Sequence, residues 1–422
     1  MPMSSSFKAR LFPHLPDIAE HFGTPFHIYD ETGIRETAAS LKQAFASSPG
    51  FREYFAVKAL PNPHILSILR DCGFGFDCSS MPELALSRGV GARGQDIMFT
   101  SNNTTPEEFT IATAEGGCIL NLDDISHLQH LSTVPNLISF RYNPGARRTG
   151  NAIIGKPEEA KFGVDHDHIL SAYRAAQAMG VSRFGLHTML VSNERDYRYM
   201  GQTAEMLLEL AAWLSQALNI TFEFINIGGG LGIPYKPQDA PLNIVSLGRD
   251  IGERFAAFAG THGAAPKLYM ESGRYVTGPH GALVARVINR KETYRTYIGV
   301  DASMSALMRP GMYGAYHHIE VLGKESSPLE TVDVTGALCE NNDKFAIQRD
   351  LPRTDTGDLL IVQDTGAHGH AMGFNYNGRL RPQELLLGMD GRVSRIRRAE
   401  TLADYLATLH FEADSLKINA AQ

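Results

Sequence analysis

Between residues 53 and 271 short apolar runs recur, each closed by polar residues or glycine and followed by a stretch of helical spacing. The runs EYFAV, GFGFD, DIMFT, GCILNL, LISFRY, RFGLH, FEFINI and KLYMES predict eight β-strands. Helical stretches follow the first three, at His64 to Leu69, Pro82 to Leu86 and Thr105 to Ala114. Later, Leu207, Leu210, Ala211, Leu214 and Leu218 fall on one face of a helix running from Gln202 to Leu218. Eight strand–helix units in succession predict an α/β fold of the TIM-barrel type.

After about residue 275 the texture changes to alternation and turns, as in ALVARVIN, TYIGVD, TVDVTGAL and DLLIVQD. In ELLLGMDGRVSRIRR the pair Asp390-Gly391 lies between two strand-like runs, a hairpin signal. A mainly β domain is therefore expected after the barrel, closed by an amphipathic helix from Thr401 to Leu409 that opens on Thr401-x-x-Asp404.

Composition narrows the class. The 422 residues are 43% hydrophobic and 20% charged, enough for a large core and more than one domain. Lys plus Arg 39 against Asp plus Glu 46 gives 39 − 46 = −7, which excludes attraction to phosphate backbones or anionic lipid, so neither nucleic acid nor membrane is expected as a partner. The opening MPMSSSFKARLFPHLPDIAEHF lacks an apolar signal core, and no window of about 18 apolar residues follows, so a cytoplasmic location is expected. Cys72, Cys78, Cys118 and Cys339 form no CxxC and are expected as reduced thiols rather than metal ligands. His166 and His168 in VDHDHI read as a helix start with Asp167 near its cap, His317 and His318 as one inward and one outward strand residue, and Arg147 with Arg148 as a solvated loop. No metal site is expected.

In a TIM barrel the reacting groups come from the C-terminal ends of strands. Those ends supply Lys58, then Asp77 with Ser79 and Ser80, then His187, the loop GGGLG, and Glu271. A lysine after an apolar strand is buried, paired or chemically used; burial lowers its pKa and leaves an amine able to form a Schiff base with an aldehyde cofactor such as pyridoxal phosphate, unless its head snorkels to water. The glycines of INIGGGLGIPY leave backbone N–H groups open to a phosphate, or else make a tight rim turn; without a helix or a ribose-binding acid after them they are not a dinucleotide fingerprint. Glu271 needs a cation, which Arg274 or a protonated pyridine nitrogen supplies. Amine, glycine loop and carboxylate together favour the cofactor reading.

YFAVKA, GFDCSS, IGGGLGIPY, ESGRY, MRPGMYGAYHHI, LCENND and NYNGRLRP resemble the motifs of fold-type III pyridoxal-phosphate enzymes, in particular the diaminopimelate decarboxylase-like amino acid decarboxylases, over about Thr24 to Leu387. The resemblance implies an alanine racemase-like barrel over 34–271 and a β domain built from 1–33 with 272–422. It implies pyridoxal 5'-phosphate tethered to Lys58, with Glu271 on the pyridine nitrogen, Asp77 near the tether, and Gly229, Gly230 and Ser192 on the phosphate. Arg274, Arg309, Tyr313 and Glu340 resemble residues that grip the far end of the substrate. Cys339 resembles a cysteine that reaches the neighbouring subunit's site and returns a proton, which implies a homodimer with shared sites.

Three positions depart from the family pattern. Where HxGS usually places a histidine on the cofactor ring, this chain has His187-Thr-Met189-Leu-Val-Ser192; a thioether can pack on a ring face. Asn341 follows Cys339 and Glu340 in place of a serine or glycine. His368 replaces the phosphate-binding tyrosine, with Tyr376 nearby as a substitute. The expected reaction is α-decarboxylation of a diamino acid, meso-diaminopimelate to lysine first. D-ornithine, D-lysine, carboxynorspermidine and a carrier-linked amino acid are the alternatives within that chemistry, and a non-catalytic cofactor-binding regulator is the alternative outside it.

Overall fold

The protein is seen in a computed structural model that describes residues 3–151 and 153–410. Readings that touch residues 1–2 and 411–422 lie outside those described. Helices α1 (Ser5–Leu11) and α2 (Leu15–Phe22) lead into β1 (Phe26–Asp30) and α3 (Glu31–Ala44). A closed barrel of eight parallel strands follows: β2 (Arg52–Ala56), β3 (Gly75–Cys78), β4 (Ile97–Phe99), β5 (Ile119–Leu122), β6 (Leu137–Arg141), β7 (Arg183–His187), β8 (Phe222–Asn226) and β9 (Lys267–Met270). Every apolar run that predicted a strand supplies one. Around them lie α4 (Pro63–Asp71), α5 (Met81–Gly89), α6 (Pro106–Thr113), α7 (His166–Ala178), α8 (Tyr197–Leu218) and α9 (Ile244–His262). After β5 a 3₁₀ segment, Ile125–His130, replaces the expected helix.

The barrel interior has two storeys. Tyr54, Met98, Ile119, Leu137, Phe224 and Tyr269, one from each of six strands, pack into a single apolar cluster. On the remaining strands the matching positions are Gly75 and Gly185. A Cβ at Gly75 would lie 2.7 Å from the Tyr54 ring and one at Gly185 2.0 Å from the Phe224 ring, so the glycines make room for those aromatics. Side chains alternate faces along a strand, so the residues two further on also point inward. They are Ala56, Asp77, Thr100, Asn121, Ser139, His187, Asn226 and Glu271. An apolar plug thus carries a ring that is polar at seven of eight positions.

Past α10 (Gly273–Thr277) the second domain is mainly β, with β10 (Gly281–Glu292), β11 (Thr296–Val300), α11 (Arg309–Tyr313), β12 (Ile319–Val321), β13 (Leu329–Thr335), β14 (Lys344–Pro352), β15 (Leu359–Gln363), β16 (Gln383–Leu387), β17 (Val393–Arg397) and α12 (Leu402–Leu406). The main sheet runs β14-β13-β11-β10-β1-β16-β17, so the N-terminal β1 sits between strands from the other end of the chain. Asp390-Gly391 does turn the hairpin β16–β17, and Thr401 with Asp404 forms the capping box of α12.

One carboxylate pins this domain to the barrel. Glu384 of β16, 1% exposed, accepts from the Tyr29 hydroxyl of β1 (2.6 Å), from Nδ2 of Asn62 (3.1 Å) and from the Arg397 guanidinium of β17. Asn62 is the N-cap of α4, and Arg397 also donates to the Pro61 carbonyl (3.0 Å). The segment that follows Lys58 is therefore held from outside the barrel.

Candidate active site

Glu271 follows β9 and is 6% exposed as a member of the polar ring. Asn226 Nδ2 donates to its Oε1 at 2.7 Å, and His187 Nε2 lies 3.2 Å from the same oxygen. Burial pushes the Glu271 carboxyl up, but His187, then Lys58 and Asn226, outweigh it and hold it below its ordinary value. The alternative ion pair with Arg274 does not form: Arg274 turns to Tyr235 and Ser192.

Lys58 sits on a single 3₁₀ turn, Val57–Ala59, just past β2. Of the alternatives the sequence left open, the side chain takes the exposed one: the turn carries it past the strand end, and Lys58 is exposed. Its charge acts on Asp77, Glu271 and His368, which places all four around one space. Asp77 is buried and pushed well above its ordinary value by desolvation and by Glu271, against the pull of Lys58. Arg141, the last residue of β6, also faces this space. It lies 3.7 Å from Asp123 and 4.4 Å above the Phe162 ring, and the fields of Glu271 and Asp77 reach it.

The glycine loop after β8 is fixed by close approach to neighbouring backbone. Gly228 and Gly230 have φ of +73° and +95°, and a Cβ on Gly229 would meet the Glu271 carbonyl oxygen at 2.3 Å. Asn226 Oδ1 accepts from the Gly228 N–H at 2.9 Å, tying the loop to Glu271. The Gly229 N–H points at the sulfur of Met189, 3.2 Å away, so Met189 packs directly on the loop. Ser192 on the adjoining loop accepts from Arg274 at 3.2 Å.

Two guanidiniums converge beside that loop. Arg274 and Arg309, 8% and 4% exposed, both donate to the hydroxyl of Tyr235, at 2.5 and 2.8 Å. Neither has a carboxylate oxygen within ion-pair distance among the described residues. His368, at a left-handed φ of +55°, is close enough to both arginines and to Lys58 that burial and these three cations push its pKa well down. A neutral imidazole therefore faces the cations where a tyrosine was expected.

The remaining candidates lie apart. Cys339 and Glu340 are exposed, and the Cys339 N–H donates to Asn377 Oδ1 at 2.6 Å. Tyr376, half-exposed, is raised by its hydrogen bond to Glu340. Tyr313 ends α11 and is also half-exposed. Among the described residues no hydrogen bond or ion pair joins these four to Lys58, Asp77 or Glu271. Elsewhere, α7 does start at His166 with Asp167 in its first turn and Asp165 as its N-cap, and of the two loop arginines Arg147 is exposed while Arg148 is half-buried and donates to Tyr199 and Thr203. His317 and His318 precede β12 rather than lying on a strand. Among the described residues no helix is long and apolar enough to cross a membrane.

These residues fit pyridoxal phosphate. Asp77 Oδ1 and His187 Nδ1 are buried polar atoms with no partner among the described residues, both on the inward polar ring. The paired guanidiniums and Ser192 offer donors for an anion, and the ionised Glu271 offers the counter-charge a protonated ring nitrogen requires.

The family model "Pyridoxal-dependent decarboxylase, pyridoxal binding domain" matches residues 31–278. Protein TabA of Pseudomonas amygdali pv. tabaci is 48% identical over 412 residues, covering 98% of this chain and 97% of that one. Diaminopimelate decarboxylase of Methanothermobacter thermautotrophicus is 36% identical over 409 residues, 95% of each chain. The crystal structure of diaminopimelate decarboxylase from M. jannaschii in complex with L-lysine superimposes with a TM-score of 0.86 at 30% identity, covering 93% of both chains. The match in sequence and in fold runs across nearly the whole length, and the chain belongs to the pyridoxal-dependent decarboxylases, enzymes whose cofactor is pyridoxal phosphate.

Proposed function

We propose that this decarboxylase acts on a diamino acid whose far end carries a carboxylate, with meso-diaminopimelate to lysine as the first assignment. The observation that carries this reading is the buried pair Arg274 and Arg309, two cations with no carboxylate partner of their own among the described residues. Buried charge without a partner is costly, and an anionic substrate end or a phosphate offsets that cost. The names of relatives, which include diaminopimelate decarboxylases and structures holding L-lysine, agree with it. The reading treats 34–271 as the cofactor-binding barrel and 1–33 with 272–422 as the second domain, supported by the pairing of β1 with β10 and β16.

Pyridoxal phosphate, when bound, supplies an aromatic ring that accepts the electron pair released as the α-carboxylate leaves. The protein's own groups prepare that event. Lys58 would hold the cofactor through its amine and, once released, would keep a proton near the substrate α-carbon. Glu271, kept ionised by His187 and Asn226, sustains positive charge on the ring nitrogen. Asp77 faces Lys58, and its charge depends on whether that amine is protonated. Met189 would be available to pack on the face of the bound cofactor, while Gly229, Gly230, Ser192, Arg274, His368 and Tyr376 would serve its phosphate end. Arg309, with Arg274, orients the far carboxylate. Cys339, Glu340 and Tyr313 are exposed in one chain and act at the site of a second copy, where the partner's Cys339 delivers a proton to the α-carbon.

Carbon dioxide release from meso-diaminopimelate, D-ornithine, D-lysine and carboxynorspermidine tests the assignment. The highest kcat/KM is expected for meso-diaminopimelate. A higher value for any of the three substrates that lack a second carboxylate overturns it.

A further inference from the structure

Nothing in the reaction itself requires Tyr235 or His317, yet both touch the arginine pair. The Tyr235 hydroxyl oxygen receives Nη1 of Arg274 and Nη1 of Arg309, and the Arg309 guanidinium also lies 4.7 Å above the Tyr235 ring. His317 is fully buried. Its Nδ1 lies 2.8 Å from the Gln363 carbonyl oxygen, which can only accept, so Nδ1 carries the hydrogen. That leaves Nε2 with a lone pair facing Arg309 Nη1 at 2.9 Å. Burial and the adjacent Arg309 push this imidazole well below its ordinary pKa, which keeps the acceptor in place.

Two guanidiniums this close repel one another. A carboxylate at this point would hold them together but would also neutralise the site. A phenol oxygen and a neutral imidazole hold them with hydrogen bonds and leave their charge available. We infer that Tyr235 and His317 are positioning residues for the specificity of this enzyme: neutral acceptors that fix Arg274 and Arg309 as a convergent, uncompensated fork selecting a carboxylate-bearing ligand. The inference rests on the reading that this fork receives the far carboxylate.

The test compares two ligands of the holoenzyme, L-lysine, which carries a carboxylate, and cadaverine, which has the same carbon chain and amines without it. Binding is read by titration of the visible cofactor spectrum, together with cofactor stoichiometry. In Tyr235→Phe and in His317→Leu the ratio of lysine to cadaverine affinity should fall at least about 10-fold, chiefly through weaker lysine binding, with cofactor stoichiometry near that of the unmodified enzyme. His317→Gln, whose amide oxygen can still accept from Arg309, should recover most of the ratio. Arg309→Met separates the two levels of the argument. If Arg309→Met lowers the ratio while Tyr235→Phe and His317→Leu keep it, the positioning role is wrong and the carboxylate reading stands. If Arg309→Met leaves the ratio unchanged, the carboxylate reading itself fails. If only one of Tyr235→Phe and His317→Leu folds, its ratio decides: a fall supports the positioning role and no change overturns it.

Discussion

Asn226 holds Glu271 from the neighbouring strand, donating to its Oε1 at 2.7 Å while taking the Gly228 N–H on its own oxygen at 2.9 Å. A side-chain amide offers both a donor and an acceptor, whereas an aspartate of nearly the same shape offers only acceptors. Asn226→Asp therefore sets a second carboxylate against Glu271 and raises the pKa of the pair. Because Glu271 must be ionised, the acid limb of the kcat–pH profile should move to higher pH and kcat near neutrality should drop at least about 10-fold, equivalent to about 1.4 kcal/mol. An acid limb that stays in place would show that Asn226 does not set the state of Glu271.

The Lys58 amine reaches Asp77, Glu271 and His368 alike with its field. Lys58→Ala should lose the visible absorbance of lysine-bound pyridoxal and nearly all turnover, since the amine is both tether and proton carrier. Added methylamine would restore colour before it restored rate. A variant that keeps the parent absorbance removes Lys58 from its assigned role.

Exposure of Cys339 bears on assembly. If the partner's Cys339 completes each site, mixing Lys58→Ala with Cys339→Ala subunits creates heterodimers in which one site of two has both residues. Random exchange makes half the dimers mixed, so about a quarter of the parent activity should return. Exchange demonstrated by mass, with no return of activity, would confine the site to one chain.

Glu384 predicts a pH signature in stability. His370, Arg397 and Tyr29 overcome burial and hold its pKa at about 2. A carboxyl depressed in the folded state stabilises above its unfolded pKa, near 4.5, and that contribution is lost as pH falls toward 2. Denaturant unfolding of Glu384→Gln should therefore show a deficit of about 3 kcal/mol at pH 7, at 1.36 kcal/mol per unit. The deficit should shrink steadily below pH 4.5. A gap that is constant with pH would mean the loss is steric rather than ionic.

The eight strands were legible because each apolar run is short, bounded and followed by a helical period, and only the segment after LNLDD lacks its helix. Lys58, His187 and Glu271 stood out as polar residues at strand ends. Their neighbours did not, although the same rule reaches them. Thr100 closes DIMFT, Asn121 and Ser139 sit within GCILNL and LISFRY, and Asn226 hides in INIGGG, where the glycines draw the eye. Stepping two residues on from each inward apolar residue finds the whole ring. Tyr235 and His317 had no such signal, because their partners lie elsewhere in the sequence and only the fold brings Arg274 and Arg309 to one oxygen. The exposure of Lys58 was one of the alternatives the sequence left open, and the 3₁₀ turn past β2 is what decides it.

The two-storey interior also bears on how this barrel can vary. Plug and ring alternate at a step of two residues around the barrel, so a one-residue insertion in any strand would point its ring residue outward and send a neighbouring outward residue toward the axis. A two-residue slip would trade storeys, bringing Tyr269 to the level of Glu271. Strand length is thus a shared constraint on folding and on chemistry, and a misregistered molecule is inactive and poorly packed for the same reason. Heritable change is left to the loops and to substitutions within the ring, where a new substrate can be met without disturbing the register beneath it.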